Sequence, residues 1–213
     1  MLVRRFPPPK VPPIIDPGMQ DRQRHDVAMY NETMLLERKM ILTNPVVTFE
    51  MDNGKEMTAE LDIEAAPNTV RSFVSLVEKG FYNGLTFHRV IPGFMIQGGC
   101  PQGTGTGGPG YNIKGEFDGN GFKNPIKHDR GVLSMARSGH PDSAGSQFFV
   151  MVARSPHLDG QYAAFGKITE GMEVADDIVA VERDRGDKPV SPQRIKSVTV
   201  ETFGEEIGKP ETL

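Results

Sequence analysis

Short β-strand patterns, separated by turns rich in glycine and proline, recur along the chain from residue 44 onward. Apolar runs bounded by such turns are typical of strands in a barrel or a sandwich. No helix alternates with these strands, as it would in a doubly wound parallel sheet. We therefore predict a mainly β protein, a closed antiparallel barrel of eight strands. The strands are expected at 46–51, 57–61, 87–90, 94–97, 132–135, 148–152, 164–167 and 195–202.

Two α-helices are predicted beside these strands. The first begins near Pro67, because proline is favoured in a first helical turn, and it ends before Gly80. The second spans about residues 171–180. Apolar residues at helical spacing give each helix a face to bury. These residues are Val70, Phe73, Val74 and Val77 in the first helix, and Val174, Ala175, Ile178 and Val179 in the second.

Residues 1–43 differ in character from the rest of the chain. They hold a proline-rich start, in which Pro9-x-x-Pro12 is compatible with polyproline II, and a helix-compatible segment at 20–40. We divide the chain into an N-terminal extension at 1–43, a domain at 44–203 and a C-terminal tail at 204–213. Met40 is an alternative start, which would leave the extension outside the native domain.

The charge and cysteine content exclude some classes of partner. The net charge is −4, without the basic excess of a nucleic-acid-binding protein, and no run reaches membrane-spanning length. The single cysteine, Cys100, cannot form an internal disulfide, which fits a reducing compartment. We therefore expect a cytoplasmic protein, with no nucleic-acid or membrane partner. Cys100 lies in a glycine-rich loop, where we expect it to be partly exposed, with no group that lowers its pKa.

The segment 87–99, which reads FHRVIPGFMIQGG, places one cation in an otherwise apolar run. Strand alternation predicts that Phe87, Arg89 and Ile91 share one face. Partial burial of a guanidinium is costly unless its N–H donors find acceptors. On the residues alone, an ion pair between Arg89 and a nearby carboxylate is the simplest interpretation.

Three blocks resemble one family, the cyclophilins, which are peptidyl-prolyl cis-trans isomerases. The segment 87–99 is similar to their active-site strand pair. A second block is Gly145-Ser146-Gln147-Phe148-Phe149, and a third is Leu158-Asp159-Gly160 followed by Phe165-Gly166-Lys167. The resemblance covers about residues 44–203. It implies an eight-stranded barrel with a helix over each open end, and an enzyme that assists protein folding by rotating Xaa-Pro bonds.

Rotation about an Xaa-Pro bond is slow because amide resonance opposes it by about 18–20 kcal/mol. A catalyst needs an apolar slot for the proline ring and a donor aimed at the proline nitrogen. The resemblance implies that Arg89 is this donor and that Gln97 orients it. The resemblance also implies that the reaction needs no metal and no cofactor. The substrate-binding residues that it implies are Phe94, Met95, Ala136, Arg137, Gln147, Phe149, His157, Leu158 and Tyr162.

The chain departs from the common family pattern at three of these positions. His157 stands where many members carry Trp, and Tyr162 stands where they carry His. Because that Trp contributes to cyclosporin binding in the family, we expect cyclosporin A to bind weakly. Arg137 replaces a commoner Asn, with a minor effect expected on substrate preference.

Other functions fit the sequence less well. Gly103-Thr104-Gly105-Thr106-Gly107-Gly108 has the form G-x-G-x-x-G, but Pro109-Gly110 follows where a dinucleotide site needs a helix. The five histidines show no paired metal-ligand spacing. The remaining alternative is a proline-peptide-binding, chaperone or assembly module with little turnover. We expect a monomer that acts on proline-containing polypeptides.

Overall fold

The structure is a computed structural model, and it describes residues 43–213. The predicted extension lies outside the described residues, apart from Thr43. In this described part of the chain, nine strands form one antiparallel sheet. They are β1 (Val46–Met51), β2 (Glu56–Leu61), β3 (Thr86–Phe87), β4 (Arg89–Ile91), β5 (Met95–Gly98), β6 (Val132–Met135), β7 (Phe148–Met151), β8 (Ala164–Glu170) and β9 (Gln193–Glu201).

The strand order closes the sheet on itself. The order is β3-β9-β1-β2-β8-β6-β7-β5-β4, so β3 and β4 lie at its two ends. Only His88 separates these two strands in the chain, and its backbone N–H donates to the carbonyl of Gln97 on β5 at 3.0 Å. The prediction of a closed antiparallel barrel is confirmed. The count is nine rather than eight because the strand predicted at 87–90 breaks at His88.

The break at His88 also changes which residues share a face. Phe87 is 1% exposed and packs in the barrel interior, whereas Arg89 is exposed and Ile91 packs on the outer face. The prediction that Phe87, Arg89 and Ile91 share one face was therefore wrong for Phe87. Strand alternation fails here because the two residues belong to different strands.

Two apolar clusters lie on opposite faces of the sheet. The interior cluster contains Phe49, Phe73, Phe148 and Phe165, with Phe73 and Phe148 meeting edge to face at 5.4 Å. The outer cluster consists of Met95, Val132, Phe149, Met151, Leu158 and Ala164. Because neighbouring strand residues point to opposite faces, Phe148 faces the interior and Phe149 the outer cluster. The predicted site residues Met95, Phe149 and Leu158 belong to this outer cluster.

Within residues 43–213, two α-helices pack against the barrel: α1 (Pro67–Glu78) and α2 (Met172–Val179). Helix α1 has no side-chain cap of its own. Instead, the buried carboxylate of Glu116 accepts the backbone N–H groups of Asn68 at 2.9 Å and Thr69 at 2.7 Å. A carboxylate at this end satisfies free N–H donors and complements the helix dipole. The predicted apolar faces of both helices are buried.

Residues 204–213, predicted as a tail, lie along the start of α1. Ile207 is buried in the interior cluster, and its carbonyl accepts from the side chain of Arg71 at 3.2 Å. The backbone of Glu211 exchanges two hydrogen bonds with the side chain of Asn68, at 2.8 and 2.9 Å. Among the described residues, no helix combines the length and apolarity needed to cross a membrane.

Candidate active site

A cavity of about 230 Å³ opens on the outer face of the barrel. We call it the proline slot, after the substrate ring that the family resemblance implies for it. Arg89, Phe94, Met95, Gln97, Ala136, Arg137, Phe149, Leu158 and Tyr162 line it. The fold thus gathers into one cavity nine of the eleven residues that the sequence predicts for the site. Of the other two, Gln147 lines an adjoining cavity, and His157 lines neither of these cavities.

Three adjacent strands place the central residues of the slot side by side. Arg89 on β4 pairs with Gln97 on β5, and Gln97 pairs with Phe149 on β7. Residues paired directly across antiparallel strands have side chains on the same face of the sheet. The register alone therefore aligns a cation, an amide and an aromatic ring in one row.

Arg89 keeps its donors free of other protein groups in the described part of the chain. Its side chain is 45% exposed, and its nearest carboxylate is Asp187, with 4.0 Å between Nε and Oδ2. That separation exceeds a hydrogen bond. The carboxylate partner expected from the sequence is therefore present, but its ion pair with Arg89 leaves the guanidinium N–H groups available to a ligand.

A chain of side-chain amides connects the slot to the adjoining cavity, which has a volume of about 450 Å³. Gln97 donates from Nε2 to Oε1 of Gln147 at 3.0 Å. Gln147 then donates from its own Nε2 to the carbonyls of Gly105 at 2.9 Å and Gly107 at 2.8 Å. The backbone of Gly99, with φ of +83°, packs closely against the residue before Gln147, because a Cβ at Gly99 would lie 2.3 Å from the carbonyl oxygen of Ser146.

The floor of the slot rests on a buried polar network. The ring of His128 stacks on Phe149 with 6.1 Å between centroids. His128 contacts Asp159 Oδ1 through Nδ1 at 3.1 Å and Ser134 Oγ through Nε2 at 3.0 Å. Burial lowers the pKa of His128, although the bond to Asp159 opposes that shift. Asp159, His128 and Ser134 are connected in the same order as the catalytic triad of a hydrolase. Ser134 is fully buried, however, so the three residues support the slot and do not present a nucleophile.

Aromatic and cationic groups form the far wall. The rings of Phe149 and Tyr162 meet edge to face at 5.8 Å. The guanidinium of Arg137 lies 4.7 Å from the centroid of the Tyr162 ring, and it donates to the carbonyl of Gln161 at 3.0 Å. Such cation–π contacts favour a fixed ring orientation. The Arg137 side chain therefore helps to shape the slot itself.

His157 lies at the rim. It is exposed, and its ring stacks on Phe94 at 5.7 Å with an interplanar angle of 28°. It precedes Leu158, whose side chain belongs to the outer cluster. His157 is thus positioned to touch a large ligand that extends beyond the slot.

Cys100 differs from its prediction, because it is 1% exposed rather than partly exposed. Burial opposes ionisation of its thiol, but the backbone N–H groups of the loop outweigh that effect and lower the pKa to about 7. Two of these groups, from Gly105 and Gly107, lie 3.3 Å from Sγ. The prediction that no group lowers its pKa was wrong because the loop folds back over the sulfur.

Some residues that shape the site were not predicted from the sequence. His128 and Ser134 contact the slot from behind, and Asp187 approaches Arg89 from a distant loop. Asp159 was part of the third sequence block, which could have pointed to its role. In residues 43–213, no group of three or more His, Cys, Asp or Glu side chains is arranged to hold a metal ion.

Comparisons with known proteins agree with this geometry. A family model described as "Cyclophilin type peptidyl-prolyl cis-trans isomerase/CLD" matches residues 46–200. Peptidyl-prolyl cis-trans isomerase B of Bacillus subtilis is 55% identical over 127 residues, which cover 60% of this chain and 85% of the relative. A peptidyl-prolyl cis-trans isomerase of Helicobacter pylori is 48% identical over 149 residues, covering 69% of this chain and 88% of the relative.

A solved structure gives the same result for the fold. The crystal structure of a cyclophilin type peptidyl-prolyl cis-trans isomerase from Cryptosporidium parvum is similar, with a TM-score of 0.68 and 34% identity. The match covers 74% of this chain and 98% of that structure. Fold, sequence family and site geometry agree, and the chain belongs to the cyclophilin-type peptidyl-prolyl cis-trans isomerases.

Proposed function

We propose that isomerisation occurs in the proline slot and that Arg89 is the group that accelerates it. The observation that carries this proposal is the row formed by Arg89, Gln97 and Phe149 across three paired strands. It places a free cationic donor beside an apolar floor in one cavity. This combination suits a proline ring and its nitrogen.

The reaction needs rotation about the amide and no change in covalent bonding. As the amide twists, resonance is lost and the lone pair of the proline nitrogen becomes a hydrogen-bond acceptor. A guanidinium N–H aimed at that nitrogen binds the twisted amide more strongly than the planar one. Only such a difference lowers the barrier. Arg suits this role because it stays charged and its planar guanidinium holds its N–H donors in fixed directions.

The remaining residues fix the substrate on either side of the rotating bond. The apolar floor and walls, formed by Met95, Phe149 and Leu158, hold the proline ring. Gln97 and Gln147 supply amide groups between the slot and the adjoining cavity. The substrate class is therefore proline-containing polypeptides. The Cryptosporidium parvum enzyme has also been solved in the presence of the dipeptide Ala-Pro, which supports this class.

A titration of ¹⁵N-labelled protein with an Xaa-Pro peptide tests the location. We expect the largest amide shifts at Gln97, Ala136 and Phe149. A third cavity of about 280 Å³, lined by residues that include Leu85, Gln102 and Lys188, provides an internal comparison. Shifts concentrated at that third cavity would place binding elsewhere and overturn the proposal.

We further propose a cytoplasmic monomer that binds cyclosporin A weakly. The single cysteine supports a reducing compartment. The large hydrophobic side chains exposed within the described residues are Val190, Phe203 and Leu213, which are few for a subunit interface. His157 offers less surface than an indole at the rim. Light scattering of the purified chain tests the monomer, because a dimer mass at micromolar concentration would contradict it.

A further inference from the structure

We propose that Asp187 is a positioning residue for Arg89, and this inference rests on the proposed role of Arg89. The carboxylate of Asp187 lies beside Arg89, with 4.0 Å between Oδ2 and Nε. We infer that the negative charge of Asp187 fixes the orientation of the Arg89 guanidinium, so that its terminal N–H groups stay directed toward the proline slot.

Each oxygen of the Asp187 carboxylate faces a different guanidinium. Oδ1 accepts from Nε of Arg183 at 3.3 Å, and Oδ2 lies 4.0 Å from Nε of Arg89. The first contact anchors the carboxylate on its own loop. The second is too long for a hydrogen bond, so it attracts Arg89 without occupying an N–H donor.

The backbone of Asp187 is held against the catalytic strand. Its carbonyl accepts the backbone N–H of Val90, the residue after Arg89, at 2.8 Å. Asp184 fixes the turn that carries it, since Oδ1 of Asp184 accepts from the N–H groups of Gly186 at 2.8 Å and Lys188 at 3.0 Å. The loop therefore keeps the Asp187 side chain close to the strand that carries Arg89.

Asp187 also adopts an uncommon backbone conformation. Its φ is +64°, and it is one of two non-glycine residues with positive φ in the described part of the chain. Asp and Asn tolerate this left-handed region better than most residues. Glycine would adopt it more easily, so conformation alone does not account for an acidic side chain here. The guanidinium groups of Arg183 and Arg89 beside the carboxylate do account for it, and we assign the orienting role to the contact with Arg89.

The substitution Asp187→Asn isolates the charge. Asn has nearly the same shape, tolerates the positive φ and keeps the backbone bond to Val90. We expect kcat to fall about fivefold with KM within about twofold, because the loss affects orientation in the transition state rather than substrate binding. Asp187→Gly should give the same loss. Asp177→Asn is the control, since it also removes one exposed charge from an ion pair, that with Lys55.

A double-mutant cycle with Arg89→Ala decides between positioning and a general effect. We expect Asp187→Asn to change kcat by less than about twofold when Arg89 is already absent. Full kcat in Asp187→Asn, or an equal loss in both backgrounds, would overturn the inference. If Arg89→Ala itself retains full activity, the proposed role of Arg89 fails instead, so the two failures are distinguishable.

Discussion

Gln97 on β5 donates its side-chain N–H to Oε1 of Gln147 at 3.0 Å. This bond joins the proline slot to the adjoining cavity, because Gln97 lines both and Gln147 lines the second. The side-chain Nε2 of Gln147 donates to the carbonyls of Gly105 and Gly107. Gln147 therefore holds an active-site amide and the glycine-rich loop in one arrangement.

The substitution Gln147→Ala should weaken catalysis through Gln97. It frees the Gln97 amide and leaves two loop carbonyls without their donors, at a cost of about 1–2 kcal/mol in the free energy of unfolding. We expect kcat/KM to fall about five- to tenfold, as measured with an Xaa-Pro peptide. Gln193→Ala is a matched control, because the Gln193 amide donates to Ser191 and lines neither cavity. Equal effects of the two substitutions would contradict this account.

Tyr162 should act through its ring rather than its hydroxyl group. The ring contacts Phe149 and carries the guanidinium of Arg137, whereas the hydroxyl has no hydrogen-bond partner among the described residues. We expect Tyr162→Phe to change kcat/KM by less than about twofold, and Tyr162→Ala to lower it about tenfold. Steady-state kinetics of both variants checks this prediction. A large loss in Tyr162→Phe would assign the hydroxyl a direct role.

Cys100 should make stability depend on pH. Its pKa is lowered to about 7 in the folded protein, so the folded state loses the thiol proton before the unfolded state does. The contribution of the Cys100 thiolate to the free energy of unfolding is absent below pH 7 and grows as the pH rises. It is complete above the pKa that the thiol has in the unfolded chain. Urea unfolding of the wild type and Cys100→Ser should show a stability difference that increases between about pH 6.5 and 9. A difference that does not vary with pH would refute this prediction.

His157 should limit the binding of cyclosporin A. It stacks on Phe94 at the rim and presents a smaller ring than Trp. We expect His157→Trp to tighten binding by about tenfold or more, because an indole buries more apolar surface and supplies an N–H donor. His157→Phe is the control for ring size without the indole N–H. Isothermal titration of the three proteins measures the effect, and tight binding by the wild type would contradict it.

The barrel could be predicted from the sequence because its strands and turns are local patterns. The strand at 46–51, the start of α1 near Pro67 and the apolar stripe of α1 each depend on a few neighbouring residues. Seven of the eleven predicted site residues lie in the three blocks that also match the family. The register then brings those blocks together.

The features missed from the sequence depend on contacts between distant segments. Asp187 meets Arg89 only because the loop at 182–190 packs on β4. The lowered pKa of Cys100 requires the loop to fold back over its sulfur. The break at His88 follows from pairing with two different strands, β9 through β3 and β5 through β4. Neither periodicity nor motif spacing carries this information.

The most direct test of the account is magnetisation-exchange NMR on an Xaa-Pro peptide with wild type and Arg89→Ala. The measurement gives the exchange rate at saturating peptide and, by titration, the Kd. We predict that Arg89→Ala lowers the rate about 10²–10³-fold, as expected for loss of one transition-state donor, while Kd changes by less than about threefold. An Arg89→Ala variant that exchanges cis and trans peptide as fast as the wild type would contradict the central claim.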